Sequence, residues 1–150
     1  MSVQNANQTL SHTNTDALIN GLFSGVIAGL VMLTFLVASG LLSGGEIIAT
    51  LERISVPGQP PNPVSNIFLH LGVSAVYGAL YGLIVHQIPA GRKTALGRLA
   101  VGLVYGMLLY LLAITVLIPG SQSVLAEIPT AVFASAHALY GLVLGWFANP

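Results

Sequence analysis

The sequence predicts an all-α integral membrane protein, a compact bundle of four transmembrane helices with short loops. Hydrophobic residues make up 55% of the 150 positions and charged residues only 5%, whereas a soluble domain carries roughly 25% charged residues. Asp, Glu, Lys and Arg are absent from four long stretches, residues 17–45, 54–91, 99–126 and 128–150. Each stretch exceeds the about 20 apolar residues that cross a bilayer as a helix.

The four predicted helices form a transmembrane domain of residues 17–150, which follows a polar tail at residues 1–16. Helix breakers separate the helices: Gly44-Gly45 and the proline-rich run 57–63, then Pro89-Ala90-Gly91, and finally Pro119-Gly120. The predicted helices cover about residues 18–42, 66–88, 95–118 and 124–148.

Local signals bear on two helix boundaries and on one connecting segment. Ser65 is the expected N-cap of the second helix. Pro129 either lies in the first turn of the fourth helix, the interpretation we favour, or kinks a longer helix that begins at Val124. Residues 46–56 carry aliphatic side chains on one side and charges nearer the other. That pattern fits a short helix in the membrane interface, or an ordered loop.

The positive charges predict the orientation. Arg92, Lys93 and Arg98 flank the connection between the second and third helices, whereas the other two connections together contain only Arg53. Basic residues concentrate on the cytoplasmic side of a membrane. We therefore expect a multi-pass protein of the plasma (inner) membrane with both termini in the cytoplasm.

Small residues at a spacing of four are typical of helix surfaces that pack closely in a bilayer. All four predicted helices carry them, and Ser74 extends the series on the second helix. We call these surfaces the glycine faces, and they comprise Gly21, Gly25 and Gly29; Gly78 and Gly82; Gly102 and Gly106; and Gly141 and Gly145.

Two histidines lie within the predicted spans, His70 and His137, and ionisable residues at membrane depth are functional candidates. Either they are neutral rings that hydrogen-bond a neighbouring helix, or they hold a ligand. At the level of His137 we expect a hydrogen-bonded polar layer, with His70 closer to the outer surface as a second candidate. The remaining members of that layer are Ser74, Tyr77, Tyr105, Tyr110 and Tyr140.

The two histidines could also ligate one haem b as axial ligands, which must lie at nearly the same depth on facing helices. The expected helix starts, near Asn66 and near Val124 or Pro129, allow the two depths to be compared. His70 then lies four residues into its helix and His137 eight or thirteen residues into its own. At a rise of 1.5 Å per residue, the expected difference in depth is roughly 6 to 14 Å. That mismatch argues against a shared haem.

Other chemistries lack their residues. Four basic residues and zero net charge provide no patch for nucleic acid. The absence of cysteine excludes disulfides and thiolate metal sites, and we expect no metal site and no resident cofactor. Phosphate loops, nucleophile elbows and His-Glu-x-x-His are also absent, so no catalysis is expected.

Several segments place mainly Gly, Tyr and His in or beside the apolar helices: residues 68–72, Tyr77-Gly78, Tyr105-Gly106, residues 118–120 and residues 136–145, which include His137 and Tyr140-Gly141. In these segments the chain resembles a set of small bacterial and archaeal four-helix membrane proteins of unknown function. The resemblance covers about residues 18–148 and implies the fold without assigning a site.

Three functions remain open from the sequence. The glycine faces favour a structural or accessory role, by self-association or within a larger membrane complex, with the lipid bilayer as the surrounding partner. The His and Tyr residues favour either permeation of a small, weakly polar solute through an oligomer, or haem b-dependent electron transfer.

Overall fold

The computed structural model describes residues 3–54, 62–88, 94–119 and 124–148, and only the backbone before Asn14. No strand occurs among these residues, which confirms the all-α fold class. The helices are α1 (Val3–Leu42), α2 (Ile47–Arg53), α3 (Pro63–His86), α4 (Ala95–Leu112) and α5 (Thr130–Phe147).

Four segments are long and apolar enough to cross a membrane, as predicted. They lie in α1, α3, α4 with its C-terminal extension, and α5. The chain is therefore a multi-pass membrane protein. The segments cover Asn14–Leu42, Pro63–His86, Ala95–Leu117 and Thr130–Phe147.

Helix α1 begins at Val3, 15 residues before the predicted start at Leu18. Nothing before Gly21 breaks a helix, and adding a residue to an existing helix needs much less free energy than nucleating a new one. The polar tail therefore continues the first span as helix. At the other end, Gly44 has φ +80° and the Gly45 N–H donates to the Gly40 carbonyl at 3.0 Å, which ends the helix in a left-handed turn.

Helix α3 begins at Pro63 and ends at His86, whereas the sequence predicted residues 66–88. Asn62, rather than the expected Ser65, is the N-cap, and its side-chain oxygen accepts from the N–H groups of Val64 and Ser65 at 3.1 and 3.2 Å. Pro63 occupies the first helical position, where its missing N–H costs nothing. The helix gains three residues at this end.

The segment 46–56 does contain a short helix, α2, which contacts both α1 and α3. The buried Thr50 lies against Gly40 of α1. The Asn66 side-chain amide donates to the Leu51 carbonyl at 3.1 Å. Helix α2 therefore packs across the ends of α1 and α3.

Two irregular turns flank the connection to α5. Helix α4 continues as a π-helical turn at Ala113–Leu117, so the predicted third helix ends as α-helix at Leu112 instead of residue 118. A 3₁₀ turn at Val124–Glu127 precedes Pro129, the N-cap of α5. The predicted start at Val124 is therefore wrong for the α-helix, because the proline ring excludes a continuous helix through residue 129. Helix α5 ends at Phe147, one residue before the predicted 148.

The bundle consists of two closely packed helix pairs, α1 with α3 and α4 with α5. A Cβ atom at Gly21 or Gly25 would meet main-chain atoms of α3, and a Cβ at Gly78 or Gly82 would meet those of α1. Helices α4 and α5 approach in the same way at Gly102, Gly106, Gly141 and Gly145. The glycine faces thus pack against one another within one chain.

Tyrosine hydroxyls connect the two pairs. Tyr105 of α4 donates to the Tyr77 carbonyl at 2.7 Å, and Tyr140 of α5 donates to the Ser74 carbonyl at 2.6 Å. Tyr81, which is fully buried, stacks at a tilt on Tyr105 with ring centroids 5.1 Å apart. Helix α3 is therefore joined to the second pair by side chains, with space between the backbones.

Candidate functional site

A partly open cavity of about 390 Å³ occupies that space, on the side of the bundle that carries α2 and the 3₁₀ turn. Its volume falls in the roughly 300–1,000 Å³ range of small-molecule sites. Ten of its lining residues are apolar: Met32, Leu36, Ile54, Leu69, Val73, Leu109, Ala113, Leu117, Leu125 and Phe133. The other five are His70, Ser74, Tyr77, His137 and Tyr140.

The polar lining residues belong to two helices, α3 and α5. His70, Ser74 and Tyr77 follow a spacing of four and three along α3, so one face of that helix presents all of them. His137 and Tyr140 follow a spacing of three on α5. Helix α4 contributes only apolar residues to the described lining, so the polar groups of the cavity come from α3 and α5.

The structure brings His70 and His137 to the same cavity, against the expected difference in depth. Each lies seven residues after the first residue of its helix, His70 from Pro63 and His137 from Thr130. The prediction was wrong because both helix starts were misplaced: α3 begins three residues earlier than residue 66, and α5 six residues later than Val124. The earlier start of α3 places His70 further along its helix, and the later start of α5 places His137 less far along its own. Together the two corrections remove the expected difference in depth.

Each histidine binds a main-chain carbonyl through one ring nitrogen. His70 Nε2 lies 3.1 Å from the Gly29 carbonyl oxygen of α1. His137 Nδ1 lies 2.9 Å from the carbonyl oxygen of Phe133, one turn earlier on its own helix. The second nitrogen of each ring has no hydrogen-bond partner among the described residues, and neither is a fully buried atom.

The tyrosines of the expected layer are divided between the cavity and the packing around it. Tyr77 and Tyr140 line the cavity, whereas Tyr105 and Tyr110 do not. Tyr110 packs instead against Phe133 and His137, with ring centroids 6.0 Å apart in both contacts. None of the described hydrogen bonds joins a histidine to a tyrosine; the bonded hydroxyls donate to main-chain carbonyls.

The cavity opens toward the outer surface of the bundle between α3 and the end of α4. Leu69 and Val73 line it while remaining 43% and 45% exposed, and Leu117 across the opening is 53% exposed. In a membrane-spanning bundle, that surface faces lipid. An apolar molecule in the bilayer could therefore reach the cavity without entering water.

The short α2 and the 3₁₀ turn form the end wall of the cavity. They contribute Ile54 and Leu125 to its lining. Next to these residues, Arg53 Nε and Glu127 Oε2 form an ion pair at 3.6 Å, in which both side chains are exposed. This exposed pair holds the two segments together by roughly 0 to 1 kcal/mol.

The sequence did not indicate the apolar half of this site. Met32, Leu109, Ala113 and Leu125 have the composition of any spanning helix, and only their tertiary positions identify them as lining residues. The π-helical turn that carries Ala113 also has no clear sequence signal, although such turns recur at functional sites.

The cavity lacks the groups that bind ions. Among the described residues, no Asp, Glu, Lys or Arg lines the cavity, and no group of three or more potential metal-binding side chains occurs. The polar groups that line it are two imidazoles and three hydroxyl side chains. Such groups can orient a neutral molecule by hydrogen bonds, but they offer no charge to balance an ion.

Comparison of the sequence with protein-family models and curated proteins, and of the fold with solved structures, finds no significant match. Membership in the family of small four-helix membrane proteins therefore stays a prediction.

Proposed function

We propose that this protein binds one small amphiphilic molecule from the lipid phase, in the cavity between α3 and the α4–α5 pair. The cavity is the observation that supports this proposal: its lining combines apolar side chains with polar groups from α3 and α5, and it opens toward lipid. An apolar body would lie against Leu109 and Leu117 of α4, and a polar head would lie against His70 and His137.

The accessory or self-association role has weaker support. Four glycine faces would call for a partner chain if they found no surfaces to pack on within this one. Gly25 lies against Gly78, and Gly106 against Gly141, within this chain. The faces therefore require no second protein, and a larger complex would have to form through other surfaces.

Permeation through a single chain is also poorly supported. Beyond the cavity, Tyr81 is fully buried, and the helix backbones touch at Gly21 and Gly82 on one side and at Gly102 and Gly145 on the other. This packing closes the bundle at the end opposite α2. The geometry favours binding of a ligand over its passage through the chain.

The two histidines fit axial haem ligation poorly. His137 has the usual arrangement of a metal-binding histidine, because its Nδ1 is held by a carbonyl and its Nε2 is available. His70 has the reverse arrangement, since its Nε2 is held by Gly29. Ligation through that atom would require the bond to α1 to break, so we propose no haem chemistry.

The membrane and orientation are also proposals: the plasma membrane, with both termini in the cytoplasm. Arg92 and Lys93, on which the orientation rests, lie outside the described residues. The chain has no cysteine, so Ser43→Cys and Gln87→Cys each introduce a single exposed thiol, at opposite ends of the bundle. A membrane-impermeant maleimide should label only Cys introduced at Ser43 in intact cells; labelling only at Gln87 would reverse the orientation.

Ligand binding is tested by narrowing the mouth of the cavity. Val73 lines the mouth and Val76 faces outward on the same helix, so Val73→Trp fills the cavity while Val76→Trp adds the same side chain to the outer surface. The full-length proteins are extracted in mild detergent and their bound small molecules are measured by mass spectrometry. Wild type and Val76→Trp should retain a small neutral compound that Val73→Trp loses. Equal contents in all three would contradict the proposal.

A further inference from the structure

The hydrogen bonds of the two histidines determine which head group the cavity accepts. A carbonyl oxygen can only accept, so the ring nitrogen facing it must carry the proton. His70 is therefore protonated on Nε2, facing Gly29, and His137 on Nδ1, facing Phe133. A neutral imidazole has a single N–H, which leaves His70 Nδ1 and His137 Nε2 as lone-pair acceptors.

While the rings are neutral, neither acceptor can become a donor without loss of an existing bond. Turning the His137 ring would separate Nδ1 from the Phe133 carbonyl, and turning His70 would separate it from Gly29. The other polar groups of the cavity are less restrictive. The Tyr140 hydroxyl already donates to Ser74, whereas the hydroxyls of Tyr77 and Ser74 can rotate to donate or accept.

The charge of the cavity lining further restricts the head groups that the cavity can bind. The described lining residues include no carboxylate that would balance an ammonium head group, and no Lys or Arg that would bind a phosphate or carboxylate. An uncompensated charge at membrane depth is costly. The head group that fits is neutral and donates a hydrogen bond.

We propose that the cavity selects an amphiphile with a hydroxyl head, an alcohol or a phenol on an apolar body, over the same molecule without the donor. This inference rests on the proposed function and specifies its ligand class. The hydroxyl would donate to His137 Nε2 or His70 Nδ1. An oxidised quinone or an ether has only acceptors and would leave both nitrogens unpaired in a dry site.

A matched pair of probes tests the selection. Diazirine-bearing hexadecanol and its methyl ether have the same chain and differ in the donor. Each is titrated into full-length protein in phosphatidylcholine nanodiscs, and labelling after irradiation is mapped by mass spectrometry. The alcohol should half-saturate the cavity residues at about one-tenth of the ether concentration, the ratio that corresponds to about 1.4 kcal/mol.

The variants at the mouth separate the two proposals. If Val73→Trp abolishes labelling by both probes but the probes half-saturate equally, the cavity binds amphiphiles and the donor selection is wrong. If neither probe gives labelling that responds to Val73→Trp, with Val76→Trp as control, the proposed function itself fails.

Loss of the acceptor should remove the preference. His137→Phe keeps a planar ring and should raise the half-saturation of the alcohol to that of the ether, with the ether unchanged; a retained tenfold preference would exclude His137. If that variant does not fold, ¹⁵N NMR of the wild type replaces it. The spectrum should show His137 as the Nδ1–H tautomer, with a shift of Nε2 on addition of hexadecanol, and the opposite tautomer would overturn the inference.

Competition against the labelled alcohol then distinguishes the two sources of a hydroxyl. The competitors are unlabelled hexadecanol, and a prenylated hydroquinone with its dimethyl ether. Stronger competition by hexadecanol assigns a chain alcohol and stronger competition by the hydroquinone assigns a phenol, both in support of donor selection. Equal competition by the hydroquinone and its dimethyl ether would contradict it.

Discussion

Two glycines of α3 give opposite predictions for the same substitution. A Cβ atom at Gly78 would meet the Gly21 carbonyl and the Gly25 Cα, whereas a Cβ at Gly72 would meet nothing within 4 Å. Replacing Gly by Ala in a helix stabilises it by about 0.8–1.0 kcal/mol. Overpacking costs about 1–3 kcal/mol, and backbone atoms on a facing helix cannot move aside as a flexible side chain can.

The gain in helix propensity and the cost of overpacking together predict whether each substitution raises or lowers the free energy of unfolding. Gly72→Ala should raise the free energy of unfolding by up to about 1 kcal/mol, since only the propensity term applies. Gly78→Ala should lower it by up to about 2 kcal/mol, because a packing cost of about 3 exceeds a propensity gain of about 1. Unfolding by SDS titration in mixed micelles, followed through the single Trp146 and far-UV circular dichroism, measures both. An equal increase in both variants would refute the close contact between α1 and α3.

Three further changes test individual bonds by the same assay. Tyr140→Phe should lower the free energy of unfolding by about 0.5–1.5 kcal/mol through loss of its hydrogen bond to α3, and Tyr110→Phe, which loses no described hydrogen bond, should be near neutral. Asn62→Ala should cost about 0.5–2 kcal/mol as a lost N-cap, whereas a larger cost for Ser65→Ala would reassign the cap. Glu127→Gln should cost at most about 1 kcal/mol and nothing in 1 M salt, and a salt-independent loss would contradict an exposed ion pair.

The number and approximate position of the spanning helices could be predicted from the sequence because charge is excluded from the bilayer core. The helix starts could not be predicted as well. Asn62 and Ser65 are both good N-caps, and the helix begins after Asn62, whose side-chain oxygen accepts from the N–H groups of Val64 and Ser65. Val124 and Ala126 suit a helix by composition, yet Pro129 confines these residues to a 3₁₀ turn.

The polar residues of the site could be identified from the sequence, but their partners could not. Tyr105 and Tyr140 were expected in a hydrogen-bonded layer with His137, and their hydroxyls donate to main-chain carbonyls of α3. A residue pattern shows which side chains share a helix face, and it contains no information about which carbonyl of another helix lies at 2.7 Å. The depth of His137 was misjudged for a related reason, since it depends on a helix start that tertiary structure determines.

The distribution of small residues explains why the large cavity lies at the end of the bundle that carries α2. Along α1, a Cβ at Gly21 or Gly25 would meet the backbone of α3, whereas at Gly29 it would meet only the Ser74 and Leu71 side chains. On the second pair, backbone contact extends to Gly106, and one turn further the Tyr110 ring packs against α5. Backbones touch where glycine is available on both helices, and side chains separate them beyond that point. His70 and His137 lie at this transition. The glycines that bring the backbones together in one half of the bundle therefore determine where the histidine side chains begin to line the cavity.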